Sequence, residues 1–210
     1  MSCCSSESCQ GTNKFFSRWS KTYAKRFKRK GLEKVQRYLL ESIKQGPLST
    51  KEILDIGCGV GSLHLTLLRE GAAKATGVDI SEGMLDHAKK LAAEMGFQEK
   101  TRYVLGDFVE KASEIPEGDI TLLDKVVCCY ENLDALIEAS TARTRSLYGL
   151  THPRNNFLMK GVFKTQIFFS KLFRTKFRPF WHDWARMREM VIARGFRPVF
   201  ERPTIAWQIM

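Results

Sequence analysis

Apolar positions along the chain change period several times, and each change marks an element. Phe15, Phe16, Trp19, Tyr23 and Phe27 recur at three- and four-residue spacing, with Lys and Arg between them. That pattern predicts an amphipathic helix with an aromatic stripe and a basic face. A second helix is predicted over 32–43, between Gly31 and the breaker Gly46-Pro47. From Lys51 short apolar runs take over. EILDIGCG reads as a buried strand entering a glycine loop, and SLHLTLLRE as a helix closed by Gly71. KATGVDI is a second strand, after which Ser81 caps a helix that ends near Gly96. TRYVLGD is a third strand, and a loop with Pro116 and Gly118 leads to the fourth, DITLLDK. A helix follows over 133–144, then a fifth strand, SLYGLTHP, stopped by Pro153.

Strands alternating with helices imply a parallel sheet covered on both faces. The tail departs from that rhythm. Residues 157–180 are rich in Phe, Lys and Arg and contain no acid, and 184–194 form a helix ended by Gly195. FRPVFERPTIAWQIM predicts two closing strands, a hairpin on the sheet edge. Pro203 belongs in its turn or at an edge, since a central strand would lose a ladder bond there. The expected fold is α/β: a Rossmann-like, mainly parallel seven-stranded sheet with helices on both faces, an antiparallel C-terminal edge and a helical N-terminal lid. Residues 1–13 are expected to form a flexible Cys-rich tip and 14–46 a basic helical lid. Residues 47–210 form the main domain, with a basic aromatic insertion at about 154–184 over the ligand edge.

Charge sharpens this division. Residues 14–37 hold ten basic residues and one acid, Glu33, and 154–202 hold twelve basic and three acidic. Between them, 38–153 carry twelve basic and eighteen acidic residues. The chain's net charge of +11 therefore belongs to the flanks. No apolar run approaches the roughly 20 residues that span a bilayer. MSCCSSESCQ lacks the apolar core of a secretory signal. Six cysteines in this arrangement make a poor disulfide framework, so a reduced, cytoplasmic protein is expected.

The central motif is Asp55-Ile56-Gly57-Cys58-Gly59-Val60-Gly61, set between a strand and a helix. Glycines there let the backbone turn tightly and approach a ligand. The second strand ends in Asp79, about 20 residues on, where a carboxylate can accept hydrogen bonds from ribose hydroxyls. The third ends in Asp107, followed by Phe108. Three acids at successive carboxyl ends of strands mark the edge at which open α/β sheets bind ligands.

LDIGCGVGSL, GVDIS and the GD-F run resemble motifs I, II and III of class I S-adenosylmethionine-dependent methyltransferases, over residues 51–150. The resemblance implies that S-adenosylmethionine binds here and leaves as S-adenosylhomocysteine. It implies Gly57, Gly59 and Gly61 around the methionine part, Asp79 on the ribose, Asp107 near the adenine amino group and Phe108 beside the ring. Asp55 then orders the glycine loop or meets the cofactor ammonium. Cys58 and Ile80 complete the expected cofactor set. LLDKVVCCY, LYGLTHPR and FFSRWSKTYAKRF…RKGL more loosely resemble the magnesium-protoporphyrin O-methyltransferase-like group.

Methyl transfer from a sulfonium needs donor and acceptor held in line, and a base only where the acceptor must lose a proton. Asp124, Tyr130 and His152, around the fourth and fifth strand ends, are the catalytic candidates. Asp124 would line the methionine end, and Tyr130 or His152 would orient an acceptor or take its proton. Tyr23 on the first helix is a candidate for the cofactor carboxylate, with plain packing as the alternative. The basic aromatic segment suits a hydrophobic, anionic small molecule, with contact to an anionic membrane surface as a compatible addition. RNA is the second partner class. A non-catalytic cofactor-binding or membrane-associated module is a third reading. Cys3, Cys4 and Cys9 with Cys128 and Cys129 leave a thiol-assisted metalloid methyltransferase as a fourth. No standard metal spacing occurs.

Overall fold

The computed structural model describes residues 7–44, 46–172 and 177–210. Five parallel strands build most of the sheet: β1 (Glu52–Ile56), β2 (Lys74–Asp79), β3 (Thr101–Leu105), β4 (Gly118–Leu123) and β5 (Thr144–Pro153). β6 (Arg202–Pro203) and β7 (Trp207–Ile209) close it antiparallel, in the order β3-β2-β1-β4-β5-β7-β6. The order reverses between β1 and β4, which opens a crevice at their carboxyl ends. The expected seven-stranded α/β fold with an antiparallel edge is thus present.

Strand side chains alternate between two cores. Ile53 and Leu122 enter one and Leu54 and Leu123 the other, all buried. α2 (Lys34–Ile43), α3 (Ser62–Arg69) and α4 (Glu82–Glu94) cover the first face through Leu39, Leu65 and Leu91. The second is covered by the short α5 (Phe108–Lys111), with α6 (Leu133–Ala142) and α8 (Trp184–Ala193), through Phe108, Leu136 and Met187. Burial on both faces explains why β1 and β4 carry apolar residues toward both sides, with Asp55 and Thr121 as buried polar exceptions.

Several boundaries differ from the sequence expectation. The first helix, α1, spans Glu7–Lys30, so residues 7–13, expected in a flexible tip, are helical. Thr12 is buried there and Asn13 accepts from the Ser17 hydroxyl at 2.9 Å, anchors that polar composition did not disclose. The 157–180 stretch contains a helix, α7 (Phe157–Leu172), whose first turn is capped by Asn156 accepting from the Met159 N–H at 2.9 Å. The closing hairpin is short on its outer side. β6 has two residues with Pro203 at the edge, since prolines at 198 and 203 limit ladder donors.

α1 lies along α4. Ser17 Oγ sits 2.8 Å from Ser81 Oγ, and Lys28 Nζ donates to Glu94 at 2.7 Å. The approach is close because Gly83 has no side chain: a Cβ there would stand 3.3 Å from the Ser17 backbone. Gly83→Val should therefore loosen α1 while leaving the sheet intact. Hydrogen exchange should speed up at least tenfold in 7–30 and stay unchanged in β1 and β4; equal protection of α1 in both proteins would contradict this packing.

Candidate functional site

The glycine loop joins β1 to α3. Gly57, Gly59 and Gly61 hold φ of 64°, 54° and 82°, the left-handed region in which a side chain is strained. A Cβ on Gly57 would fall 2.5 Å from Val126 Cγ2, and one on Gly61 2.8 Å from His64 Nε2. Gly59 differs: the nearest atom to such a Cβ is Met84 Sδ at 3.9 Å. The outer two glycines are crowded by protein, whereas Gly59 leaves space beside the loop.

Asp79 ends β2 and fixes that loop. Its Oδ2 accepts from the Gly59 N–H at 2.8 Å and its Oδ1 from the Ser81 N–H at 2.8 Å. Loss of hydration pushes its carboxyl up to about 6, although these amide bonds favour the charged form. Each oxygen keeps a further lone pair for a ligand hydroxyl. Behind the loop runs a buried polar chain. Asp55 Oδ2 lies 2.8 Å from His64 Nδ1, and His64 Nε2 lies 3.0 Å from the Tyr103 hydroxyl. That hydroxyl also reaches Ala88 O at 3.3 Å.

Asp107 caps α5, its Oδ1 accepting from the Val109 N–H at 2.8 Å. The same oxygen takes the Tyr130 hydroxyl at 2.8 Å. Burial, then the Asp107 bond, raise the Tyr130 hydroxyl above the ordinary tyrosine range. Asp124 Oδ1 accepts from Thr151 Oγ1 at 2.8 Å and Oδ2 from Gln36 Nε2 at 3.0 Å. Burial raises its carboxyl as well. Next to it, Lys125 is the non-glycine residue at positive φ, 61°, among the described residues. Its ammonium donates to Glu33 at 2.6 Å, and Arg26 reaches the other Glu33 oxygen at 2.9 Å. Burial works against the Lys125 charge, but Asp124 and Glu33 outweigh it and hold the ammonium above the ordinary lysine range.

These groups surround one cavity of about 210 Å³. One wall holds Asp55, Gly57, Cys58, Gly59, Asp79 and Ile80, with Phe108 nearby. The facing wall comes from α1 and α2 (Phe16, Tyr23, Arg26, Phe27, Glu33 and Gln36), and Asp124, Lys125, Cys129 and Tyr130 complete it. Gly61 and Asp107, both expected in the cofactor set, do not line it. Of the three catalytic candidates, Asp124 and Tyr130 reach the cavity and His152 does not. His152 is buried inside β5, with Nδ1 3.0 Å from Pro153 O and its ring stacked 5.1 Å from Trp184. The register of β5 turns it toward α8, and burial lowers its basicity. Its expected place at the acceptor edge is corrected accordingly.

Sequence reasoning missed Glu33, Gln36, Lys125, His64 and Tyr103. Glu33 carried a signal as the single acid of a basic segment; the others join the site through tertiary contacts. Among the thiols, Cys128 and Cys129 sit with sulfurs 3.9 Å apart, both near Lys125 O. They and Cys58 are free. Cys3 and Cys4 lie outside the described residues.

Residues 53–151 match a family model described as a methyltransferase domain. Residues 53–151, just under half of the chain, are thus similar to a methyltransferase domain, and the sheet around them has the Rossmann-like methyltransferase fold. The resemblance drawn from the glycine loop and strand-end acids therefore holds. The crystal structure of magnesium protoporphyrin IX methyltransferase from Synechocystis PCC 6803 with bound S-adenosylhomocysteine superimposes with a TM-score of 0.66. Identity there is 23%, covering 83% of this chain and 79% of that one, a likeness of fold. Demethylmenaquinone methyltransferase of Symbiobacterium thermophilum is 29% identical over 154 residues, 72% of this chain and 57% of its own length. Ribosomal protein L11 methyltransferase of Vibrio cholerae is 31% identical over 127 residues, 60% of this chain and 39% of its own. The chain spans 30%, 41% and 40% of the length of three further curated relatives.

The buried chain behind the loop makes a stability prediction. His64→Leu leaves the Asp55 carboxyl without its partner, which should cost about 3–5 kcal/mol in urea unfolding. A loss below about 1 kcal/mol would show that the pair does not support the loop.

Proposed function

We propose that this chain is an S-adenosylmethionine-dependent methyltransferase acting on a hydrophobic, anionic small molecule, with a carboxylate oxygen as the favoured acceptor. The observation that carries the reading is the composition of the cavity. Gly59, Asp79 and Phe108 give it one end suited to an adenosyl group: open backbone, a hydroxyl acceptor and an apolar platform. The same cavity is also lined by Phe27, Arg26 and Lys125, the last two being cations that share the Glu33 carboxylate. A second anion arriving there finds two cations shared by one acid.

Bound S-adenosylmethionine supplies a methyl group already activated by positive sulfur. The chain's own part is to position the reactants and exclude water. No histidine lines the cavity among the described residues, and Tyr23 and Tyr130 are both held protonated above their ordinary range. A carboxylate acceptor fits that inventory, because it is ionised at neutral pH and needs no base. The demethylmenaquinone enzyme named above supports a small, apolar acceptor by similarity.

Turnover is tested by methyl transfer from labelled cofactor to a panel of apolar carboxylic acids, hydroxyquinones and RNA. Methyl ester formation supports the proposal; label confined to RNA, or no label transferred, overturns it. Titration of Asp79 gives a second test. Its folded carboxyl lies at about 6, above its ordinary 3.8, so its stabilising contribution is full below about pH 4 and lost as pH rises through about 6. Ligand binding has the opposite sign, since ribose hydroxyls donate to the ionised carboxylate. S-adenosylhomocysteine affinity should fall by up to about tenfold per pH unit below 6. It should be weaker and flat over that range in Asp79→Asn. A flat profile in the unmodified protein would remove Asp79 from the binding site.

A further inference from the structure

α7 has three faces, and the cavity accounts for none of them. Successive helical residues step by about 100°. Met159, Phe163 and Ser170 fall together on the buried face. Lys160 and Lys164 lie on the next sector, both exposed. The remaining sector, about 140° wide on that spacing, carries Phe157, Phe168, Leu172, Leu158, Phe169 and Val162. All six are exposed, Phe157 by 89%, Phe168 by 62% and Leu172 by 60%. None of them lines the cavity. An apolar stripe of this size, left in water on a helix that already has a buried face, marks an interaction surface.

We infer that α7 docks the protein on an anionic lipid surface, with its Phe/Leu stripe entering the interface and Lys160 and Lys164 meeting the headgroups. Charge complementarity selects this occupant. From Arg154 to His182 there are seven basic residues and no acid. A second copy of the chain would bring the same positive charge against itself. Nucleic acid would reward stacking rings and polar contacts but gives nothing to Leu158, Val162 and Leu172. An apolar stripe flanked by lysines is the arrangement of a helix lying in the plane of a bilayer interface. No helix among the described residues is long and apolar enough to cross the membrane, so the contact is peripheral. A cofactor and an apolar acceptor would then meet in a cavity held close to the phase in which the acceptor dissolves.

The test is co-sedimentation of the full chain with vesicles of phosphatidylcholine alone and with 30–40% phosphatidylglycerol (about the anionic content needed for a strong surface potential). Binding should be at least tenfold tighter to the anionic vesicles and should weaken with salt. Phe168→Glu combined with Phe169→Glu should reduce it at least tenfold. Lys160→Gln with Lys164→Gln should reduce it about fivefold per lysine. S-adenosylhomocysteine affinity serves as the folding control and should be unchanged in both variants, since neither pair touches the cavity. Vesicle binding that is absent, equal on neutral lipid, or insensitive to the aromatic pair overturns the inference. So does RNA binding lost in the same variants without vesicle binding.

Discussion

One carboxylate holds the glycine loop and the second strand in register. Asp79 accepts the Gly59 and Ser81 amides with its two oxygens, and thereby joins the loop after β1 to the helix start after β2. Two backbone donors that would otherwise compete for water are satisfied at once, and the loop is fixed where Gly59 leaves space. The geometry has an electrostatic cost, visible as the raised Asp79 carboxyl. A group kept partly desolvated and close to neutral-pH titration is tolerated where a ligand will complete its shell.

The packing of the N-terminal helices follows from the same corner. Ser81 contacts Ser17, Gly83 lets α1 approach, and Glu33 gathers Arg26 from α1 and Lys125 from the loop after β4. Lys125, at a φ of 61°, places its ammonium 2.6 Å from Glu33. Basic residues of the first helix therefore divide: some face solvent, while Arg26 lines the cavity and pairs with Glu33. Exposed pairs such as Lys28 with Glu94 add little energy on their own. The apolar contacts of Phe16 and Phe27 with the main core carry the docking.

Much of this was legible in the chain itself. The five parallel strands, the helices that follow β1, β2 and β4, the glycine loop, Asp79 and the aromatic stripe of α1 are local patterns, and local patterns survive in sequence. The start of α1 was not, because Thr12 and Asn13 look like tip residues until their tertiary contacts are known. Nor was the orientation of His152, since a strand end next to Pro153 does not disclose which neighbour its side chain meets. The Asp55–His64–Tyr103 chain links residues 9 and 39 positions apart and has no linear signature. The exposure of one side of α7 required the buried side to be known first.

The central claim is that glycine loop and N-terminal lid form two walls of one ligand site. Hydrogen exchange with and without saturating S-adenosylhomocysteine tests it most directly. The account predicts slowed exchange at 57–61 and, at the same ligand concentration, across 16–33. Protection of the loop with no change in α1 would separate the lid from the site, and no protection of either would contradict the account.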